Sequence, residues 1–304
     1  MDQVLIKAAG YIFIIIISYL LKRKGLFDFK DQRTIMKLIM NITLPAAVIA
    51  AFANFEKDTR LISITVIGLC MNLIMSGIGY LVALRKSRKD RAFNIINYSG
   101  YNIGTFAMPY LQSFLGSLGI VVACLFDAGN AIMCTGVTYA IASQVTSKEK
   151  FNVKDFLHKI FSSVPFDVYI VMLFCYFTDI RFPKAVYSIA SLIGNANAFL
   201  AMFMIGLSFE IVFDKGILRQ VWTSLFIRYS INSVIAYLFY KYSPFTNEVK
   251  TIVVLIMFAP MSALNVINTI KCGGDKEKSG LLNSLSIVIS LTIITILVIK
   301  LNLK

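Results

Sequence analysis

Apolar residues fall along this chain in runs of about twenty with almost no charge inside them, separated by short polar stretches. A helix needs roughly 20 residues to cross ~30 Å of hydrocarbon. Ten runs reach that length: 4–21, 35–55, 61–84, 92–113, 118–143, 157–178, 185–209, 220–240, 248–270 and 279–299. The pattern predicts an all-α polytopic membrane protein with ten transmembrane helices. They divide into five and five at a short cytoplasmic linker, 148–155, giving repeats over 1–147 and 156–304. An odd number of spans per half turns the second half upside down, so the expected architecture is a pair of inverted repeats. Spacing supports the division. Asn41 precedes Pro109 by 68 positions and Asn195 precedes Pro260 by 65, a mismatch of less than one helical turn.

Two runs stand apart from the rest. Ala92 to Ser113 and Thr251 to Ile270 carry no charge, yet each holds a proline and asparagines in mid-run, and they occupy corresponding places in the two halves. Proline deletes an amide donor and clashes with the preceding turn. In hydrocarbon such an interruption persists only where the freed backbone groups line a protected cavity. Half-helix ends near Pro109 and Pro260, with amide donors from Asn102, Asn265 and Asn268 and with Thr105 beside them, suit a carboxylate without a fixed cation in the pocket. The alternative is that the prolines are packing kinks and the asparagines bridge neighbouring helices.

Composition narrows the class. With 58% hydrophobic and only 15% charged residues, and a mean hydropathy of +0.75, the chain lies far from a soluble domain. No GxxxxGK[ST] loop occurs, so ATP-driven transport by this chain alone is not expected. No nucleophile, base and orienter set presents itself, so an enzyme is not expected either. The net charge of +14 sits in the loops and reports orientation, not a nucleic-acid partner. Alternate loops are rich and poor in Lys and Arg, nineteen against eight, which by the positive-inside rule places the rich side in the cytoplasm and both termini outside the cell membrane. The first run is followed by Lys22, Arg23 and Lys24 without a cleavage site and is expected to stay as a helix. Five cysteines show neither disulfide nor zinc spacing, and lone His158 has no ligand cluster around it. No cofactor or metal is expected.

Charges inside the spans demand a reason, because an aspartate at a helix centre costs ~2.5–3.5 kcal/mol on insertion scales. Asp127 is the only charge between Ala92 and Ser147, and Asn130 shares its helical face three positions on. The pair is a candidate proton site or cation ligand, with H+ or Na+ as the coupling ion; the structural alternative is a post that braces the fourth span. Arg228 and Asp167 are the other deep charges: the cation could attract an anion or pair with an acid such as Asp167, unless Arg228 snorkels to the cytoplasmic surface. Gly100 and Gly104 form GxxxG, whose default meaning is close helix packing.

Five stretches in order, MNITLPAAVIAAF (40–52), YNIGTFAMPYLQSFLGSLG (101–119), CLFDAGNAIM (124–133), LIGNANAFLAMFMIGLSFE (192–210) and APMSALNVINTIKCGGD (259–275), resemble the auxin efflux carrier family of bacterial organic-anion permeases and, more distantly, plant PIN-type auxin exporters. That resemblance implies a scaffold of helices 1, 2, 6 and 7, a moving transport domain of helices 3–5 and 8–10, and unwound fourth and ninth helices that cross at the substrate carboxylate. Asn102 falls where plant members have a substrate-contacting asparagine; Asn265 follows Pro260 as in bacterial relatives, where plant members tend to have a proline, and Asp167 stands where an apolar side chain is expected. The implied function is secondary transport of small organic anions, such as malate, malonate or an auxin-like acid, by alternating access, with a homodimer formed through the scaffold. A sodium-coupled symporter of the bile-acid type and a passive channel are the rivals.

Overall fold

Polar residues placed just outside the apolar runs start the helices. Asp28 and Asp31 form a reciprocal capping box at the head of α2, and Ser87, Asn152, Thr246 and Asp275 each accept a backbone amide at the head of a later helix. Caps of this kind satisfy amides that no preceding turn can reach. The computed structural model describes residues 2–54, 58–146, 152–209 and 215–301. It contains fifteen α-helices: α1 (Asp2–Arg23), α2 (Phe29–Leu38), α3 (Leu44–Ala51), α4 (Ser63–Val82), α5 (Arg88–Tyr98), α6 (Met108–Ile132), α7 (Thr138–Thr146), α8 (Val153–Ile160), α9 (Val164–Phe177), α10 (Lys184–Gly194), α11 (Ala196–Ser208), α12 (Lys215–Tyr242), α13 (Asn247–Met257), α14 (Leu264–Lys271) and α15 (Lys276–Lys300). Short π-helical turns join α2 to α3 (Ile39–Thr43), lead into α6 (Ile103–Ala107) and join α6 to α7 (Met133–Val137). Among the described residues no strand forms.

Among the described residues six helical runs are long and apolar enough to cross a membrane, and α8 with α9, bent by 75° at their junction, make a seventh if counted as one. Large apolar side chains such as Phe13, Phe174, Leu192 and Phe226 face outward, as lipid-facing residues do. The run 103–146 is 44 residues long, about 66 Å of helix, and too long for a single crossing. It is interrupted at Gly116, whose φ of +55° and ψ of −145° suit a residue without a side chain. The predicted fourth and ninth spans are each split by non-helical residues, and the eighth, α12, carries four cations. Half of the predicted linker, 148–151, lies outside the described residues. Its last three positions, 153–155, are already helical in α8, so the connection ends at Asn152, which caps that helix.

Helices α1 and α11 pack along one another, as do α3 and α10; α4 lies on α5 and α6, and α13 lies between α6 and α12. The best enclosed run is 103–146. Small residues permit the closest approaches. A side chain at Gly194 would lie 2.7 Å from the backbone of Ala47, and one at Gly129 would lie 2.0 Å from the carbonyl of Thr65.

Candidate functional site

The interruption between α5 and α6 begins at Ser99, not at the proline. Gly100 takes φ +77°, Asn102 takes φ −83° and ψ 79°, and a π turn then leads into α6. Pro109 is the second residue of α6, directly behind a π-helical turn that continues into α6, an irregularity of the kind that accommodates a proline's missing amide. The expectation that Pro109 breaks the helix is corrected: Gly100 supplies the left-handed conformation that turns the chain. Pro260 does lie in its break, between α13 and α14.

The two breaks meet. Tyr101 and Met261 form an isolated antiparallel bridge, in which the Asn102 amide donates to the Pro260 carbonyl at 2.8 Å and the Ser262 amide donates to the Gly100 carbonyl at 3.3 Å. Backbone freed from two helices is thus partly paired across them, which a low-dielectric interior requires. Side chains satisfy the rest. Asn130, on α6, accepts from the Tyr101 amide at 3.0 Å and donates to the Tyr101 carbonyl at 2.8 Å. Asn72, on α4, accepts from the Gly100 amide at 2.7 Å and donates to Asn130 at 3.1 Å. Asn265 donates to the Ser99 carbonyl at 2.8 Å, and Ser286 accepts from the Met261 amide at 3.1 Å. Helix α12 holds both half-helix ends from one face: Arg228 donates to the carbonyls of Tyr98, Ser99 and Gly100, and Asn232, one turn on, donates to the Met257 carbonyl at 2.9 Å.

Beside this crossing is a cavity of about 200 Å³. Its polar border includes Asn102, Thr105, Asp127, Asn130, Thr135, Ser163 and Ser262, with Cys134 among them, and its apolar wall includes Met36, Met40, Leu44, Phe166 and Tyr169. Asn102 accepts from the Thr105 hydroxyl through its Oδ1, and its Nδ2 makes no hydrogen bond among the described residues. The Asp127 carboxylate accepts from Asn130 Nδ2 at 2.8 Å and from the Tyr169 hydroxyl at 3.1 Å. It is the cavity's only formally charged side chain. Gly104 faces Leu44 and Asp127 across it. The glycine pair at 100 and 104 serves the break and also permits close packing: a Cβ on Gly100 would lie 2.8 Å from Asn265 Oδ1, and one on Gly104 3.1 Å from Leu44.

The remaining candidates lie elsewhere. Asn268 donates to the Cys134 carbonyl at 3.1 Å; with Asn265 it sits behind the cavity as a brace, and neither side chain borders the cavity. Pro109 and Pro260 do not border it either. Arg228 neither snorkels nor pairs with Asp167. It is 1% exposed, about 20 Å of helix from the start of α12 by the 1.5 Å rise, and its guanidinium is engaged with backbone carbonyls and the Tyr101 ring, 4.7 Å away. Asp167 sits half-buried in the first turn of α9, where a carboxylate complements the helix dipole. Asn72 and Asn232 were not singled out from the sequence. Their signal is a fully buried amide inside an otherwise apolar run, which in a bilayer always has a partner. Among the described residues no group of three or more His, Cys, Asp or Glu is arranged to hold a metal. His158 is exposed on α8.

Comparison with known proteins gives the family. A curated relative from the archaeon Methanothermobacter thermautotrophicus, named as an uncharacterized transporter, is 25% identical over 129 residues, covering 41% of this chain and 42% of the relative. The chain thus matches well under half of that relative's length. A family model described as "Membrane transport protein" matches residues 4–159, just over half of the chain, including the first broken helix, Asp127 and Asn130. The chain belongs to this membrane transport family, the auxin efflux carrier family that its motifs resemble.

Proposed function

We propose that the protein is a secondary carrier of small organic anions, with the substrate carboxylate held in the cavity at the crossing of the two broken helices. The observation that carries the reading is the free side-chain Nδ2 of Asn102 beside Thr105, facing a polar cavity where the π turn leads into α6. Unpaired amides at the start of a helix attract an anion, and a neutral donor set leaves the empty site inexpensive to move. At about 200 Å³ the cavity is smaller than the ~300–1,000 Å³ that drug-sized ligands occupy. Malonate or malate suits it better than an indole acid.

Asp127 gives the site a coupling group. An anion entering beside an ionised carboxylate is repelled, so its entry is coupled to a proton on Asp127, whose two oxygens already face donors from Asn130 and Tyr169. Tyr169, Cys134 and Cys124 are the other titratable groups against it. Sodium coupling requires several converging oxygens, and the occupied carboxylate leaves few.

The ten-span inverted repeat and an elevator-type movement belong to the same proposal. Paired breaks support it, as do the π turn at 39–43 and the α10/α11 junction at Asn195 in corresponding halves. The cavity border reaches Ser163 and Pro165 at the cation-rich end, so this is the state open towards the cytoplasm. A second polar hollow, between Gln112, Gly116, Ser191 and Asn195, marks the opposite side. The plasma membrane is the expected location, with a homodimer through the scaffold.

The test is a thermal-shift screen of the purified protein against carboxylic acids, with and without sodium, since ligand binding stabilises by mass action. Small aliphatic acids should raise the melting temperature, and Asn102→Ala should remove the rise. Stabilisation by sodium alone, or an acid response that Asn102→Ala leaves intact, refutes the assignment.

A further inference from the structure

Arg228 is an expensive residue to place where it is. Its side chain is buried, and three of its bonds go to the carbonyls of residues 98, 99 and 100. Its Nε is buried with no partner, and no carboxylate lies within ion-pair distance of it; among the described residues the ion pair is Arg60 with Asp58. A neutral donor suffices for the equivalent task on the other half-helix, where Asn232 takes the Met257 carbonyl. A buried cation without a counter-ion is strongly unfavourable unless something offsets its charge, so capping alone does not account for an arginine.

The carbonyl end of α5 points at the crossing with about half a negative charge, a field that would repel an anion in the adjoining cavity. One full positive charge on those carbonyls reverses its sign. Tyr101 connects the two sides: its ring lies under the guanidinium, its backbone is held by Asn130, and Asn130 holds Asp127. The empty site thus balances Arg228 against Asp127 across Tyr101.

Resting on the carrier reading above, we propose that Arg228 is a positioning residue that sets the charge preference of the cavity: it holds the C-terminal end of α5 in place and supplies the fixed positive potential that selects an anion without touching it.

The test uses the full-length protein in detergent and three probes of one skeleton, malonate, malonamate and malonamide, which differ by one charge each. Wild type should rank them by charge. In Arg228→Gln the ranking should flatten, with malonate affinity falling by about tenfold per carboxylate, the order of effect that a nearby unit charge has at an effective dielectric of about 20; malonamide binding should be unchanged. A purely structural role would weaken all three probes alike, and that result overturns the proposal. Should Arg228→Gln not fold, Arg228→Lys decides. It keeps the charge and loses the fork, so it should melt earlier and retain the ranking, and loss of the ranking there refutes the inference. A wild type that binds none of the three removes the anion-carrier reading itself, whereas a ranking that persists in Arg228→Gln removes only the role of Arg228.

Discussion

Asn130→Ala tests how the crossing is held together. The side chain serves five groups: it accepts from the Tyr101 amide, from Asn72 and from the Cys134 thiol, and it donates to the Tyr101 carbonyl and to Asp127. The Tyr101 carbonyl retains the Ile103 amide as a donor at 3.1 Å, so the group left without a partner is the Tyr101 N–H. An orphaned buried donor costs about 1–3 kcal/mol, and each lost hydrogen bond between helices in a bilayer adds on average about 0.6 kcal/mol. Asn130→Ala is therefore expected to lose about 2–5 kcal/mol and to abolish ligand-induced stabilisation. Asn94→Ala is the control, because Asn94 is equally buried yet its amide donates only to the Asp90 carbonyl one turn back in its own helix. Unfolding of both variants in mild detergent measures the difference. If Asn130→Ala falls within about 1 kcal/mol of Asn94→Ala, the crossing does not depend on side-chain bracing and the reasoning fails.

Three other outcomes follow from the same geometry. Gly100→Ala should cost about 2–4 kcal/mol, since an L side chain is strained in the left-handed region and its Cβ would come within 2.8 Å of Asn265 Oδ1; chemical denaturation measures it, and a neutral effect would contradict the positive φ. Wild-type uptake into proteoliposomes should rise as the pH on the anion-loading side falls, because proton and anion enter together, and Asp127→Asn should flatten that dependence while the protein stays folded; unchanged pH dependence discards the coupling role. Thr135→Cys, on the cavity border, should react with a membrane-impermeant maleimide only from the cytoplasmic side and should be protected by a bound carboxylate, which labelling of inside-out and right-side-out vesicles distinguishes.

Much of the helical content was legible because a bilayer leaves few alternatives: about twenty apolar residues between polar caps specify a crossing whatever the details of packing. That the two interrupted runs stand apart from the others was legible too, since a polar residue inside an apolar run needs a partner. Its wiring was not. Proline is the loudest signal in the sequence, yet Gly100 makes the first break, because only a glycine adopts φ +77° without strain and no local pattern marks which glycine will do so. Asn265 and Asn268 look like substrate donors in one dimension and are braces in three, because their carbonyl partners, Ser99 and Cys134, are more than a hundred residues away. Arg228 looks like half of an ion pair until the fold supplies three carbonyls at the end of a half-helix. Long-range partners of this kind follow from how the halves are packed, which spacing along the chain does not encode.

The most direct test of the carrier account is counterflow of labelled malonate in proteoliposomes, comparing the wild type with Asn102→Ala. The account predicts saturable uptake that unlabelled malonate inside the vesicles accelerates, and its loss in Asn102→Ala. Flux that rises linearly with concentration, shows no acceleration by internal malonate, or persists in Asn102→Ala would contradict it.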